Sequence, residues 1–328
     1  MNGYDATLTS AALFDRSAQG KIEATGKDAP SFLHNLSTND IKTLPLGAGC
    51  EAYFCTSTAK VLAHALIYHV LVGGRHAYWL DVTAGHNRKL FEHLDKHLIS
   101  EAVELIDHTD AFAQLHLAGP AAKSVLEKAL GDAAPELAEF QHMERTFPGG
   151  VTAHVRRHDP LGVPGYDLVF PAAKAAAVKA NLLQAGSTDA DADTFETLRV
   201  EAGTPVYGID IGEDRFVMEV ARPLRAVSYD KGCYLGQEPI VMARDRAGFV
   251  NRSFFGLKVL GDQPLPPGTK LFRDTQEVGV VTSSVMSPRL GAPLAVGYLR
   301  RGHQDVGLKL KAGDVEAEVL GFPPVAAS

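Results

Sequence analysis

The hydrophobic positions change period several times along the chain, and each change marks an element. Ala77–Val82 is an apolar run broken only by Asp81, which predicts a strand. Thr83 then offers an N-cap, and Leu90, Phe91, Leu94 and Leu98 recur at helical spacing, so a helix follows. A second helix is predicted from Asp193, where Asp193 and Glu196 have the spacing of a capping box. It places Phe195, Leu198 and Ala202 on one face and stops at Gly203, with Pro205 beyond. Val61–Val72 is the longest apolar stretch; His64 and His69 interrupt it, and it is far shorter than the roughly 20 residues a bilayer requires. Past residue 250 the pattern becomes short apolar or alternating runs, at 253–260, 277–286, 294–300, 306–310 and 315–320. Turn residues are dense there, with 10 Gly and 7 Pro in 78 positions against 32 in the preceding 250. Short strands at close spacing read as a small β-barrel or sandwich, so the chain divides near Asn251 into domains 1–250 and 251–328.

The first 250 residues mix strands and helices and contain one internal echo. Gly26-Lys-Asp-Ala29-Pro-Ser-Phe32-Leu33 and Gly119-Pro-Ala-Ala122-Lys-Ser-Val125-Leu126 share the form G-x-x-A-x-x-apolar-Leu. In each, the glycine would end a strand and the alanine would let the next helix approach the sheet closely. The echo predicts two related α+β halves with a groove between them.

Composition narrows the function. The chain has 328 residues, 32 Lys plus Arg against 39 Asp plus Glu, and a net charge of -7. No basic field awaits a phosphate backbone, which argues against nucleic acid as the primary partner. Met1–Thr9 has no hydrophobic run of the signal-peptide kind, so the expected location is the cytoplasm, with no membrane partner. Three cysteines, Cys50, Cys55 and Cys233, form neither a disulfide framework nor a CxxC site, and no metal site is expected. There is no phosphate loop of the G-x-x-x-x-G-K-[ST] type, no H-E-x-x-H and no G-x-S-x-G. Gly47-Ala-Gly49 follows a Pro45 turn and leads into a strand-like segment, the wrong setting for a dinucleotide fingerprint. His93 and His97 share a helix face with no third ligand at metal spacing.

Lys231-Gly-Cys-Tyr-Leu-Gly-Gln-Glu238 differs in kind, packing a cation, a thiol, an amide and a carboxylate into eight residues. Gly232 and Gly236 permit a tight turn, and Lys231 beside Cys233 would favour the thiolate. The chemistry alone leaves two readings open, a functional thiol on a loop or a buried structural cysteine.

The octapeptide resembles the signature of the YgfZ-type folate-binding proteins, relatives of the glycine-cleavage T-protein (aminomethyltransferase). Further stretches agree along nearly the whole chain: Phe32-Leu33 with Thr38-Asn39-Asp40, Gly165-Tyr166-Asp167-Leu168 before Pro171, Leu198-Arg-Val-Glu-Ala-Gly203 with Tyr207-Gly208, and Val280-Val-Thr-Ser-Ser with Ser287-Pro288. The resemblance implies an α+β cloverleaf: two related lobes forming a folate-binding domain and a C-terminal β-barrel, around a central hole that holds tetrahydrofolate or another reduced folate derivative. It assigns the pterin clamp to Glu201, whose carboxylate can accept two parallel N–H bonds. Tyr166, Asp81, Lys231 and Arg244 are the other expected folate contacts, and Cys233 the functional thiol. Arg244, with Arg246, Asn251 and Arg252, is placed to meet a folate glutamate tail or a partner's carboxylates.

Departures from the T-protein matter equally. Its Gly-Gly-x-x-Asp-Asp strand, one Asp of which serves the aminomethyl chemistry, corresponds here to Ala59-Lys60-Val61-Leu62-Ala63-His64, and its Tyr-Thr-Gly-Glu segment to Pro160-Leu-Gly-Val163. His64 could replace the missing base, although the expectation is an outward-pointing residue. The resulting expectation is a tetrahydrofolate-binding accessory protein for iron-sulfur cluster assembly or repair, with reduced folate and iron-sulfur client or assembly proteins as partners. It would bind folate without aminomethyl transfer from a lipoyl protein. The alternative is a folate-dependent one-carbon transferase, an aminomethyltransferase or demethylase.

Overall fold

A computed structural model describes residues 1–134, 136–220 and 222–325. Helix α1 (Gly3–Thr9) and strand β1 (Ala12–Asp15) lead into β2 (Gly20–Thr25), α2 (Ala29–Leu36), β3 (Gly49–Cys55), β4 (Val61–Val72), β5 (Arg75–Val82), α3 (Asn87–Lys96) and β6 (Glu104–Asp107). Strands β2 to β6 make the first sheet, in the order β3-β4-β5-β2-β6. The same succession then recurs as β7 (Phe112–Ala118), α4 (Ala122–Leu130), β8 (His142–Phe147), β9 (Val151–Arg157), β10 (Gly165–Pro171), α5 (Ala175–Gln184) and β11 (Thr188–Ala190). Its sheet has the order β8-β9-β10-β7-β1-β11, which is the first order with β1 inserted beside β7. One topology is used twice, and the sequence echo falls on the same joint each time, β2 to α2 and β7 to α4.

Both joints depend on their glycine. Gly26 and Gly119 adopt φ of 113° and 131°, and a Cβ would lie 2.0 Å from the Ala102 carbonyl oxygen and 2.4 Å from that of Ser10. Ala29 and Ala122, buried at the helix starts, keep the approach close. Strand β1 belongs to the second lobe although it precedes the first, so the halves are not contiguous in sequence.

The paired helices cover one face of each sheet, α2 and α3 the first and α4 and α5 the second, while α1 and α6 (Ala192–Glu201) pack on the opposite face of the second sheet at Ala12, Phe14 and Ala118. Phe32, Leu33, Leu90 and Leu94 pack on Ile22, Phe54, Ile67 and Leu80 in the first lobe. Leu126 and Val178 pack with Leu115, Val155, Tyr166 and Leu168 in the second. The other two faces turn toward each other and share Tyr68, Val70, Trp79 and Val169.

Helix α6 (Ala192–Glu201) leaves the second lobe, and the chain continues through two short helices, α7 (Pro223–Ala226) and α8 (Gln237–Met242), to the C-terminal strands. These are β12 (Arg252–Leu260), β13 (Lys270–Arg273), β14 (Gln276–Ser287), β15 (Ala292–Arg300), β16 (Lys309–Ala312) and β17 (Val315–Val319). They close as β12-β15-β14-β13-β16-β17, a barrel rather than a sandwich. The α+β lobes and barrel are those expected from the sequence; β13 was not, because four residues between turns carry no readable period.

Two helix starts differ from expectation. Helix α3 begins at Asn87, since Thr83 accepts from the His86 amide in a turn of its own. Helix α6 is capped by Asp191, which accepts from the Thr194 amide at 2.8 Å, while Glu196 turns to Arg199 instead of closing a capping box. Among the described residues no helix is long and apolar enough to cross a membrane.

The joints give the first testable outcome. Gly119→Ala should destabilise the protein by about 2 kcal/mol or more, because strained φ and a backbone collision add. Gly131→Ala, at a helix end with φ of 70° and open space, should cost only about 1 kcal/mol. Denaturant unfolding of both variants measures the difference; equal losses would mean that close approach at Gly119 is unimportant.

Candidate functional site

Register places one polar row across each of the two facing sheets. In the first, Glu51 pairs with Leu66, Leu66 with Asp81 and Asp81 with Lys21. In the second, Arg156 pairs with Asp167, Asp167 with His116 and His116 with Phe14. The rows meet where Arg156 Nη1 donates to Asp81 Oδ2 at 2.5 Å. Arg156 is fully buried, with its guanidinium 4.3 Å from the Tyr68 ring centre.

Beside this junction lies a cavity of about 110 Å³. Glu51, His64, Leu66 and Asp81 line it from the first lobe, and Gln114, His116, His158 and Asp167 from the second. Arg16, Phe195, Arg199 and the segment Thr204–Val206 close it, with the Arg16 guanidinium stacked 4.0 Å above the Phe195 ring.

Two carboxylates organise the wall. Glu51 is almost fully buried and meets His64 Nε2 at 2.9 Å, Arg222 Nε at 3.0 Å and Arg225 Nε at 3.5 Å. Burial alone would raise its pKa, but Arg222, His64 and Arg225 bring it down to about 2. Asp167 is likewise buried and accepts from His116 Nδ1 at 2.9 Å and His158 Nδ1 at 2.8 Å. Against its burial, the two imidazoles hold Asp167 well below the usual carboxylate range. Three wall residues also carry buried polar atoms without a hydrogen-bond partner: Asp81 Oδ1, Gln114 Oε1 and His116 Nε2. Unpaired buried acceptors are costly, and a ligand rich in N–H donors would satisfy them.

Of the expected site residues, the structure brings Asp81 to this cavity and the other five elsewhere. Tyr166 packs into the core between the second sheet and its helices, because strand alternation turns it away and turns Asp167 in. Glu201 is fully buried outside the cavity, its carboxylate accepting from the Tyr4 and Ser287 hydroxyls, and so ties α6 to α1 and the barrel. That geometry corrects the pterin-clamp expectation. Lys231 spends its three donors on the carbonyls of His34, Ser37 and Asn39 at the end of α2, and burial lowers its pKa to about 8. It is not among the residues that line the cavity. Arg244 is exposed, paired with the neighbouring Asp245 and 4.6 Å from the Tyr229 ring centre. Cys233 is exposed on its loop, whereas Cys55 is buried and Cys50 half-buried, and burial pushes both of those thiols up to about 12. His64, expected to point outward, faces the cavity.

The residues missed by sequence reasoning are Glu51, Gln114, His116, His158, Asp167 and Arg16. Asp167 stood inside a recognised motif, and polar residues at alternate positions of Phe112–Ala118 were the available signal for Gln114 and His116.

Comparison with known proteins agrees with this architecture. The family model described as the GCVT N-terminal domain matches residues 2–231, and that of the glycine cleavage T-protein C-terminal barrel domain matches residues 252–325. An aminomethyltransferase of Geobacillus kaustophilus is 30% identical over 323 residues, covering 97% of this chain and 85% of that protein. One from Caldanaerobacter subterraneus is 27% identical over 312 residues, covering 94% and 82%. The crystal structure of glycine cleavage system aminomethyltransferase T from Bartonella henselae superposes with a TM-score of 0.88 at 24% identity, over 99% of this chain and 89% of that one, and shows the same fold.

Two outcomes follow from the side chains. A carboxyl with a depressed folded pKa stabilises fully above its ordinary value of 4.5 and loses that contribution as pH falls through about 2. Glu51→Gln should therefore cost about 3 kcal/mol at pH 7 and flatten the acid side of the stability curve. Melting curves from pH 7 to pH 2 check this, and parallel curves for both proteins would refute it. For the thiols, a limiting dose of iodoacetamide should label Cys233 before Cys50 and Cys55, as read by mass spectrometry of the peptides; equal labelling would contradict the exposure difference.

Proposed function

The chain belongs to the glycine-cleavage T-protein family, and from that premise we propose that it binds a reduced folate in the cavity between its lobes and transfers a one-carbon unit there. The observation that carries this reading is the set of unpartnered acceptors in the cavity wall, Asp81 Oδ1, Gln114 Oε1 and His116 Nε2. A reduced pterin presents an N–H-rich aminopyrimidine edge, which suits such a set. Leu66, Val82 and Phe195 supply apolar surface for a flat ring, and Arg16 a cation for a carboxylate. Tetrahydrofolate, when bound, supplies the nucleophilic nitrogen that accepts the carbon unit; the protein orients it and keeps bulk water from it. This reading takes the transferase as the leading function, in place of the accessory role first expected, because full-length relatives bear the name aminomethyltransferase.

A second reading, a YgfZ-type accessory role toward iron-sulfur enzymes in the cytoplasm, rests on the octapeptide and on the exposure of Cys233 outside the cavity. In that case Cys233→Ala would abolish support of client enzymes while folate binding stayed intact.

Calorimetric titration with tetrahydrofolate tests the main reading. Wild type should bind with one-to-one stoichiometry, and Gln114→Ala should weaken binding by about 1 kcal/mol, roughly fivefold, with an unchanged melting temperature. Asp81→Asn should weaken it further, with some loss of stability from the Arg156 pair. Full affinity in both variants would move the folate out of this cavity.

A further inference from the structure

Each wall of the cavity carries an imidazole fixed by a buried carboxylate. On the first lobe, His64 gives its Nε2 to Glu51 at 2.9 Å, which leaves Nδ1 free. On the second, His158 gives its Nδ1 to Asp167 at 2.8 Å, which leaves Nε2 free. Both rings are partly exposed, both line the cavity, and neither remaining nitrogen is among the buried unpartnered atoms. The two imidazoles thus present opposite ring nitrogens from opposite sheets. Carboxylate-oriented imidazole is the arrangement that fixes a tautomer and stabilises the protonated ring, as general acid–base work requires.

We propose that His64 and His158 are the acid–base pair of the one-carbon transfer, taking over the role for which the run Ala59–His64 has no carboxylate. The inference rests on the folate reading above. With an aminomethyl thioether as donor, His64 Nδ1 accepts the proton released by the folate's nucleophilic nitrogen as that nitrogen bonds to the donor's methylene carbon. His158 Nε2, protonated beforehand, gives its proton to the sulfur as the carbon–sulfur bond breaks. One N–C bond forms, one C–S bond breaks, one proton leaves nitrogen and one reaches sulfur; no oxidant or reductant takes part, and solvent resets the two rings. His64 takes the nitrogen side because it shares its sheet face with Asp81, one of the folate-binding acceptors.

The surroundings of the two rings differ in charge. His64 faces Glu51, with Arg222 and Arg225 behind it, and the Tyr53 ring 5.1 Å away. His158 faces Asp167, the second imidazole of His116 at 6.2 Å, and the Phe140 ring at 5.9 Å, with Arg157 and Asp159 paired beside it. Glu51 and Asp167 act through the rings and are positioning residues.

The test uses the full chain and three measurements. Nitrogen-15 NMR of the histidine rings in the ligand-free protein should show His64 with its proton on Nε2 and, wherever His158 is neutral, its proton on Nδ1. Calorimetry with tetrahydrofolate should give affinities for His64→Gln and His158→Gln within about threefold of wild type. Turnover with a dihydrolipoyl-carried aminomethyl donor should fall by about 100-fold in each variant and not by the product in the double variant, because the pair acts as a unit. Wild type that binds no folate would overturn the functional reading and this inference with it. Wild type that binds without turnover would overturn the transfer reading and this inference together, whereas variants that turn over like wild type, or rings with the reverse tautomers, would overturn the acid–base pair alone.

Discussion

A fully buried guanidinium is tolerable only where its charge is answered within reach, and Arg156 takes its answer from the other lobe. The ring faces of Tyr68 and Trp79, also from the first sheet, lie 4.3 and 5.5 Å from it and add an attraction that depends on orientation. Removing one partner in the folded chain would leave the other charge buried and unanswered, at a cost of about 3–5 kcal/mol. The pair therefore fixes not only that the lobes meet but at which strand positions. Because Asp81 and Asp167 hold fixed places in their rows, fixing the junction also fixes the spacing of the cavity walls.

The cavity is a product of duplication as much as of sequence. Two copies of one sheet-and-helix unit each bury a helix-bearing face, and each leaves a second face that must find a cover. The copies cover each other, so the polar residues of both faces are pooled in one enclosed place. The third wall comes from the barrel side: Arg199 of α6 bonds Asp210 and Ser283, and Asp210 accepts from Thr282 and Ser283, so α6 is fastened to β14 while its Arg199 and Phe195 reach the cavity. A polar clamp of this kind is directional, and it sets the position of the cavity edge more tightly than apolar packing alone would.

The fold was largely legible because hydrophobic period, glycine punctuation and the repeated joint each report a local requirement. The apolar run Ala77–Val82 and the turn density after residue 250 were read as strand and barrel signals, and both elements are there. The cavity was much less so, for a physical reason. A strand with one apolar and one polar face normally turns the polar face to water, and nothing local says that it is covered by a second sheet. His64 was assigned to solvent on that ground. Tyr166 and Asp167 illustrate the same point, since neighbours on a strand face opposite ways and the larger aromatic was the wrong choice. Glu201 and Lys231 failed differently: their partners, Tyr4 and Ser287 for the one and three α2-terminal carbonyls for the other, are far away in sequence, so a charged group marked by resemblance proved to be a structural tie.

Strand β1 sits between β7 and β11, on the far side of the first lobe from its own place in the chain. During synthesis the first sheet can complete itself once Asp107 has emerged, while α1 and β1 still have nothing to pair with. Their first strand partner, β7, follows directly after Asp107, but the second, β11, comes only at Thr188, and Tyr4 meets its carboxylate only when Glu201 is made. Helix α1 and strand β1 are thus locked fully only after the second lobe is made, and the long loop they close makes that step entropically slow. Until then β1 is a dangling strand edge, the kind of surface on which nascent chains associate wrongly and which chaperones shield.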